Sequence, residues 1–503
     1  MKKNNLPSIV LTVEQIKILE KEYIKSIGIT LFDIMQRAGR AAFNIIKRLY
    51  PQTKYWLILC GNGNNGGDGY IIGSLAQIYG INVWLLTIEN EKKISIERTL
   101  AKKMWLTLGG KVHPFNGKLP GDNIDLIIDC LLGTGLNKAP GYPYNKIIIN
   151  ANQYHAPIIG IDVPSGLLAD TGATPGVAIK AVHTITFISL KPGLLTGQAR
   201  KYVGQLHYHS LEMDLWLNKR YHHSSIKRIE YNINHIKKKI ISRSPISHKG
   251  KHGKLLLIGG DIGMAGAIIL AGEAALRTGT GLVKILTHKY NILPILSARP
   301  ELIVQEFTIK KFDFYLNWSN TIIIGPGLGQ EKWAKDACQK LKISKKNMLW
   351  DADALTNLAK DPNKCNNRII TPHPGEAARL LNLSIKEIEN NRVQTAKILA
   401  KKYGGVVVLK GAGTIIASYK GQLTIADVGN VGLASAGMGD ILSGIIGSFI
   451  GDNFSLYESA CLGCVIHGKA ADYLAKKYGT RGILARDILS VIYKFLTPKF
   501  NNN

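Results

Sequence analysis

Tyr55-Trp56-Leu57-Ile58-Leu59-Cys60-Gly61-Asn62-Gly63-Asn64-Asn65-Gly66-Gly67-Asp68-Gly69 is the stretch that decides how the first half of this chain folds. Its first six residues are a compact apolar run of strand type, the glycines that follow read as a turn, and Tyr70 to Tyr79 resumes as a helix. Strand, turn and helix in that order make the repeating unit of a parallel α/β sheet. Five of the nine residues from Gly61 to Gly69 are glycine, so this backbone can approach a ligand closely and present consecutive N–H donors. It is not the dinucleotide fingerprint, nor a Walker loop, because no Lys-Ser/Thr ending follows. Asn64, Asn65 and Asp68 instead supply amide and carboxylate ligands. A purely structural turn is the competing reading, and so many glycines would then cost backbone entropy for little packing return.

Outward from this unit, apolar runs at Val83 to Leu86, Ile124 to Cys130, Pro157 to Ile161 and Thr184 to Ile188 alternate with longer polar or helical segments. That spacing predicts a Rossmann-like three-layer α/β domain over 1–220. Thr12 to Leu49 reads as helical. From Trp216 to Pro245 the chain turns basic, polar and weakly periodic, and a linker is placed there. A second α/β domain over 221–503 starts with a strand at Lys254 to Ile258 and continues at Leu282 to Leu286, Thr321 to Ile324, Met348 to Trp350 and Val406 to Leu409. At 503 residues, two cores are expected on size alone.

Sixty-four Lys and Arg against thirty-five Asp and Glu give a net charge of +29, which attracts anions. The lysines are spread along the chain without interleaved aromatics, so anionic nucleotide substrates are expected and a nucleic-acid groove is not. No run has transmembrane length, and no membrane partner is expected. Six scattered cysteines without a cleavable leader suit a reducing cytoplasm, with Cys461 and Cys464 as packed thiols. A homo-oligomer is expected for sheet domains of this size.

Asp129-Cys130-Leu131-Leu132-Gly133-Thr134-Gly135 and Asp162-Val163-Pro164-Ser165-Gly166 each follow a strand candidate, which brings their carboxylates to the crevice of the glycine run. With Lys191-Pro192-Gly193 and Thr196-Gly197, these segments resemble the NAD(P)HX epimerase domain. The resemblance implies interconversion of the R and S forms of hydrated NADH and NADPH at C6, beside a potassium ion. It implies potassium contacts from Asn65, Asp129 and Ser165, and substrate contacts from Asn64, Asn65, Gly66, Gly67, Asp68, Gly133, Thr134, Gly135, Leu136 and Asp162. Asp129 and Asp162 are the proton-shuttling candidates, with the choice between them open.

In the second half, Ala434-Ser435-Ala436-Gly437-Met438-Gly439-Asp440 opens an apolar helix. Small residues admit a phosphate, helix-start N–H groups neutralise it, and Asp440 can accept a hydroxyl proton. Gly259 to Gly266, Ala298-Arg299-Pro300-Glu301, Gly325-Pro326-Gly327-Leu328-Gly329, Asp351 to Leu355, Thr371 to Leu380 and Lys410 to Thr414 complete the pattern. Together they resemble the ribokinase-like NAD(P)HX dehydratase domain. That resemblance implies ADP-driven dehydration of the S form to NADH or NADPH, giving AMP and phosphate, with magnesium on the phosphate chain. It implies Asp440 as the catalytic base, and Ala267, Gly327, His373 and Asp440 as substrate contacts. Nucleotide contacts fall on Lys410, Gly411, Ala412, Gly413, Thr414 and Gly439. Asp353 stands between orienting the site and capping a helix, and the motifs leave ADP and ATP undistinguished.

Overall fold

The computed structural model describes residues 6–88, 94–121, 123–221, 226–230, 232, 240 and 244–496. The chain forms two compact units, residues 1–227 and 228–503. The first extends past residue 220 because the helix Asp214–Tyr221 packs back on its own unit: Leu217 and Tyr221 join its core, and the Tyr221 hydroxyl donates to the Gln15 carbonyl at 3.2 Å. Much of the expected linker, including Lys237 to Lys239, lies outside the described residues.

The first unit is built on β2 (Tyr55–Cys60), β3 (Asn82–Thr87), β4 (Val112–Pro114), β5 (Leu126–Cys130), β6 (Ile158–Ile161), β7 (His183–Phe187) and β8 (Gln205–His209), after a two-residue β1 (Ile9–Val10). These seven form one sheet in the order β4-β3-β2-β5-β6-β7-β8, every neighbouring pair parallel. Strands buried on both faces explain the continuous apolar runs. The chain leaves β2 toward one edge and returns at β5 toward the other, so a switch-point crevice lies beyond the carboxyl ends of β2 and β5.

Two sequence expectations change here. Thr12 to Leu49 is not one helix but two, Val13–Ile27 and Leu31–Leu49, parted at Gly28 in the left-handed region with φ 71°. Thr12 with Gln15 and Thr30 with Asp33 form reciprocal capping boxes, which start each helix independently. The glycine run is also not a free loop, since the helix Asn64–Ile78 begins inside it. A Cβ at Gly66 would lie 2.0 Å from the Gly61 carbonyl oxygen, and one at Gly69 would lie 2.6 Å from Cys60 Sγ. These glycines let the helix start press onto β2 and β5, which is the packing return that the sequence reading discounted.

The second unit orders β18 (Leu423–Ala426), β17 (Ile415–Ser418), β16 (Val406–Leu409), β15 (Arg368–Ile370), β14 (Asn347–Trp350), β13 (Thr321–Ile324), β10 (Lys254–Ile258), β11 (Leu282–Thr287) and β12 (Ile303–Glu306) across one sheet. Pairing is parallel from β16 to β12 and antiparallel among β16, β17 and β18. The helix Met438–Gly451 is buried along most of its length. Gly444 and Gly447 allow this contact: added Cβ atoms would meet the Ala271 carbonyl at 2.2 Å and Ile323 at 2.4 Å. The result is an α/β unit with a mostly parallel sheet.

Candidate active sites at two strand-end crevices

At the end of β5, the Asp129 carboxylate is fully buried. It accepts the Ser165 hydroxyl at 2.6 Å, the Ser165 N–H at 2.8 Å and the Leu131 N–H at 3.2 Å. Burial raises its pKa to about 6 against those hydrogen bonds. Ser165 Oγ accepts the Leu132 N–H at 2.8 Å and the Leu132 carbonyl accepts from Asn65 Nδ2 at 3.1 Å, so Asn65, Asp129 and Ser165 form one connected set. Asn65 Oδ1 is buried with no hydrogen-bond partner. An orphaned amide oxygen beside a buried carboxylate is a donor set that suits a hard cation.

A cavity of about 190 Å³ adjoins this set, lined by Asn64, Asn65, Asp68, Gly133, Thr134 and Asp162 among others. Gly66, Gly67, Gly135 and Leu136 do not line it. Gly66 and Gly67 instead pack against Gly61 and Met35. The geometry separates the two carboxylates left open by the sequence: Asp162 faces the cavity, and Asp129 is spent on Ser165 and Leu131. Asp162 has φ 64°, a strained setting for a non-glycine residue at a strand end. Its carboxylate pairs with the buried Lys191 ammonium, which also donates to Thr186 Oγ1 at 2.9 Å and the Phe187 carbonyl at 3.0 Å.

Sequence reasoning missed three residues of this site. Lys191, in the sequence one residue of a Lys-Pro-Gly turn, is the cation that pairs with Asp162. Arg98 is buried and donates to the Gly61 carbonyl at 2.8 Å, which fixes the start of the glycine run. Glu20 lines the cavity from the helix Val13–Ile27. Burial and then Asp162 raise its carboxyl to about 7. Burial likewise lifts Asp68 well above the usual carboxylate range, helped by Asp162 and Glu20 and opposed by Lys191.

In the second unit, neighbouring strands β10, β13, β14, β15 and β16 deliver the quoted loops to one sheet end. Asp351, buried after β14, accepts Lys410 Nζ at 2.9 Å and the Ser443 hydroxyl at 2.7 Å. Lys410 Nζ also stands 3.8 Å from Glu376. Burial opposes the Lys410 charge, but Asp351 and Glu376 outweigh it and raise the lysine pKa. Asp440 sits in the first turn of Met438–Gly451, behind Gly437 at φ 81°. Burial, then the nearby Asp351, pushes its carboxyl up to about 7, with Lys410 opposing. A Cβ at Gly439 would lie 3.4 Å from Lys410 Nζ, so the ammonium borders the turn that would cradle a phosphoryl group.

The other predicted residues fall around this centre. A Cβ on Gly327 would lie 3.2 Å from that of Ala267, so these two adjoin. His373 caps the helix Pro374–Leu381, its Nδ1 accepting from Gly375 N at 3.0 Å and Glu376 N at 3.4 Å. Burial and then Lys410 lower its pKa, consistent with a neutral, half-exposed ring. Asp353 accepts the Gly329 N–H at 2.9 Å while starting its own helix, so it both orients the Gly325 to Gly329 loop and begins the helix. Ala352 between the two aspartates has φ 47°, strain placed at the site. In the Lys410 to Thr414 segment, Gly411 has φ 137° and Thr414 Oγ1 donates to its carbonyl at 3.1 Å. Glu376, Ser443 and the buried Arg392, which donates to the Leu409 and Lys410 carbonyls at 3.1 and 3.0 Å, were not singled out by sequence. A buried charge beside a lysine-bearing strand end was the available signal.

Two α/β sheet units, each with an Asp–Lys pair and perturbed carboxyls at its strand ends, define an α/β enzyme with two separate sites. The family described as NAD(P)H-hydrate dehydratase matches residues 255–494, and the one described as YjeF-related protein N-terminus matches residues 32–193. The bifunctional NAD(P)H-hydrate repair enzyme Nnr of Escherichia coli (strain K12) is 52% identical over 99% of this chain and 96% of its own. That of Vibrio cholerae is 40% identical over 98% and 99%. A solved ADP/ATP-dependent NAD(P)H-hydrate dehydratase from Bacillus subtilis, co-crystallized with ATP/Mg2+, aligns at 28% identity and TM-score 0.48, over 53% of this chain and 96% of that one. The chain belongs to the family of bifunctional NAD(P)H-hydrate repair enzymes.

Proposed function

We propose that the first unit interconverts the R and S forms of hydrated NADH and NADPH through the Asp162 cavity, and that the second dehydrates the S form with ADP. The observation that carries this reading is Asp440. A carboxyl raised to about 7 stands in the first turn of a helix whose start is turned by Gly437 in the left-handed region and left open at Gly439, next to the Lys410 ammonium. Such a group takes a hydroxyl proton near neutral pH while helix-start N–H groups and the lysine stabilise the transferring phosphoryl.

The chemistry closes. Asp440 takes the C6 hydroxyl proton as that oxygen attacks the β-phosphorus of ADP and AMP departs. The ring nitrogen then supplies its electron pair as the C6–O bond breaks and phosphate leaves. Loss of a C5 proton restores the reduced ring. Gly411 to Thr414 and Gly439 hold the nucleotide, and Ala267, Gly327 and His373 border the substrate. Magnesium bound with the nucleotide would supply charge neutralisation to the phosphate chain. In the first unit, Asn65 Oδ1, Asp129 and Ser165 would hold potassium, which would supply positive charge beside an anionic substrate.

The test is recovery of NADH absorbance from mixed R and S hydrates given ADP, ATP or neither. Full recovery with ADP is expected. Recovery that is independent of nucleotide contradicts the reading.

A further inference from the structure

The helix Val13–Ile27 buries Ile16, Leu19 and Tyr23 as an amphipathic stripe. Glu20 lies on that stripe, four residues after Ile16 and three before Tyr23, where an apolar side chain is the ordinary choice. Its helix is pinned: the Val13 N–H donates to Asp170 Oδ1 at 2.8 Å, and the Gln15 carbonyl accepts from Tyr221. Glu20 thus faces, from a fixed support, the cavity that also holds Asp68, Asp162 and Lys191. The Lys191 ammonium bonds to Asp162, Thr186 and Phe187, and its charge with that of Lys17 offsets burial and Asp162 at the Glu20 carboxyl only in part. The matched family segment begins at residue 32, beyond this helix.

We propose that Glu20 is a catalytic residue of epimerisation, the proton carrier that serves the ring nitrogen of the substrate while Asp162 serves its hydroxyl. This rests on the assignment of the cavity to epimerisation. C6 of the hydrate carries both a hydroxyl and N1, so it is a hemiaminal carbon. Asp162 takes the hydroxyl proton, the C6=O bond forms, the C6–N1 electron pair passes to nitrogen, and neutral Glu20 protonates it. Rotation about C5–C6 presents the other carbonyl face. Closure returns one proton from nitrogen to Glu20 and one from Asp162 to oxygen, so nothing is consumed. The groups facing Glu20 are Asp162, Asp68 and Lys191 across the cavity and Lys17 on its own helix. A carboxyl raised to about 7 gives and retakes a proton near neutral pH, whereas Asp68 is held well above the usual range.

The test follows conversion of R to S hydrated NADH by the full chain without nucleotide, after subtraction of the spontaneous rate. Glu20→Gln, of the same shape, is expected to lower kcat by about 10²- to 10⁴-fold with KM little changed, and to abolish the alkaline fall of the rate near pH 7. Glu20→Ala is expected to regain activity when acetate is added, which a packing role would not permit. Glu20→Gln with kcat within about threefold of the parent, or with an effect on KM alone, overturns the proposal, as does an alkaline limb that persists in Glu20→Gln and disappears in Asp68→Asn. If the parent chain fails to outpace the spontaneous reaction, the epimerase assignment falls as well. If the parent is active and only Asp162→Asn is silent, the role of Glu20 falls alone.

Discussion

The two glycine-rich helix starts look alike in sequence and differ in which of their glycines are packed and which are open. In the first, Gly66, Gly67 and Gly69 are filled by protein: added Cβ atoms would meet Gly61, Met35 and Cys60 between 2.0 and 2.6 Å. In the second, Gly437 packs in the same way, an added Cβ meeting Leu270 at 2.5 Å, but a Cβ at Gly439, inside the first turn, meets nothing nearer than Lys410 Nζ at 3.4 Å. Inside the first helical turns, glycine serves close packing at Gly66 and Gly67 and leaves room for a ligand at Gly439. The ligand side of the first site therefore comes from side chains, from Asn64, Asn65 and Asp68 of the run itself, from Asp162 and from the helix that carries Glu20.

The largest effect that sharpens this contrast is chemical. Asp440→Asn should lower ADP-dependent dehydration of the S form by about 10³-fold or more, read as absorbance recovery, because the variant keeps the helix start and loses the base. Next comes packing. Gly66→Ala should destabilise the first unit by about 3 kcal/mol, since its neighbour is backbone that cannot move aside, whereas Gly439→Ala should cost under about 1 kcal/mol of stability and act on nucleotide turnover instead. Urea unfolding with separate activity assays distinguishes them. Equal destabilisation by both would break the contrast.

A pH effect follows in size. The Asp440 carboxyl is raised in the fold, so the unfolded chain binds fewer protons between its ordinary pKa of 3.8 and about 7, and stability falls as pH rises through that window. Asp440→Asn removes that fall: the variant should gain about 2 kcal/mol over the parent at pH 8, with partial exposure discounted, and nothing near pH 4. Dehydratase kcat of the parent should rise through pH 7, as the base must be ionised. Smallest is the cation. Potassium should raise the thermal midpoint of the parent by a few degrees relative to choline, and Asn65→Ala should abolish that difference. No such ion dependence would remove potassium from the account.

What the sequence disclosed and what it hid share a physical basis. Buried parallel strands such as Tyr55–Cys60 and Val406–Leu409 are continuous apolar runs and read directly. The three-residue strand Val112–Pro114 and the antiparallel pair Ile415–Ser418 and Leu423–Ala426 carry too little pattern to stand out. The break at Gly28 was hidden because helical periodicity resumes within three residues. Asp440 was legible because its neighbours announce a helix start. Glu20 was not, because a carboxylate among Lys17, Lys21 and Glu22 looks like a solvated face until the fold turns it inward. Lys191 and Asp351 gain meaning only from partners far along the chain, Asp162 and Lys410.

The central claim is that two independent sites act in sequence on one damaged cofactor. Pure R hydrate and ADP are given to Asp162→Asn, to Asp440→Asn, and to an equal mixture of both, each scored against spontaneous epimerisation. Each variant alone should leave NADH recovery at or below the spontaneous limit, and the mixture should restore recovery to near the parent rate. Recovery by Asp440→Asn alone, or a mixture no faster than Asp162→Asn, would contradict the division of labour.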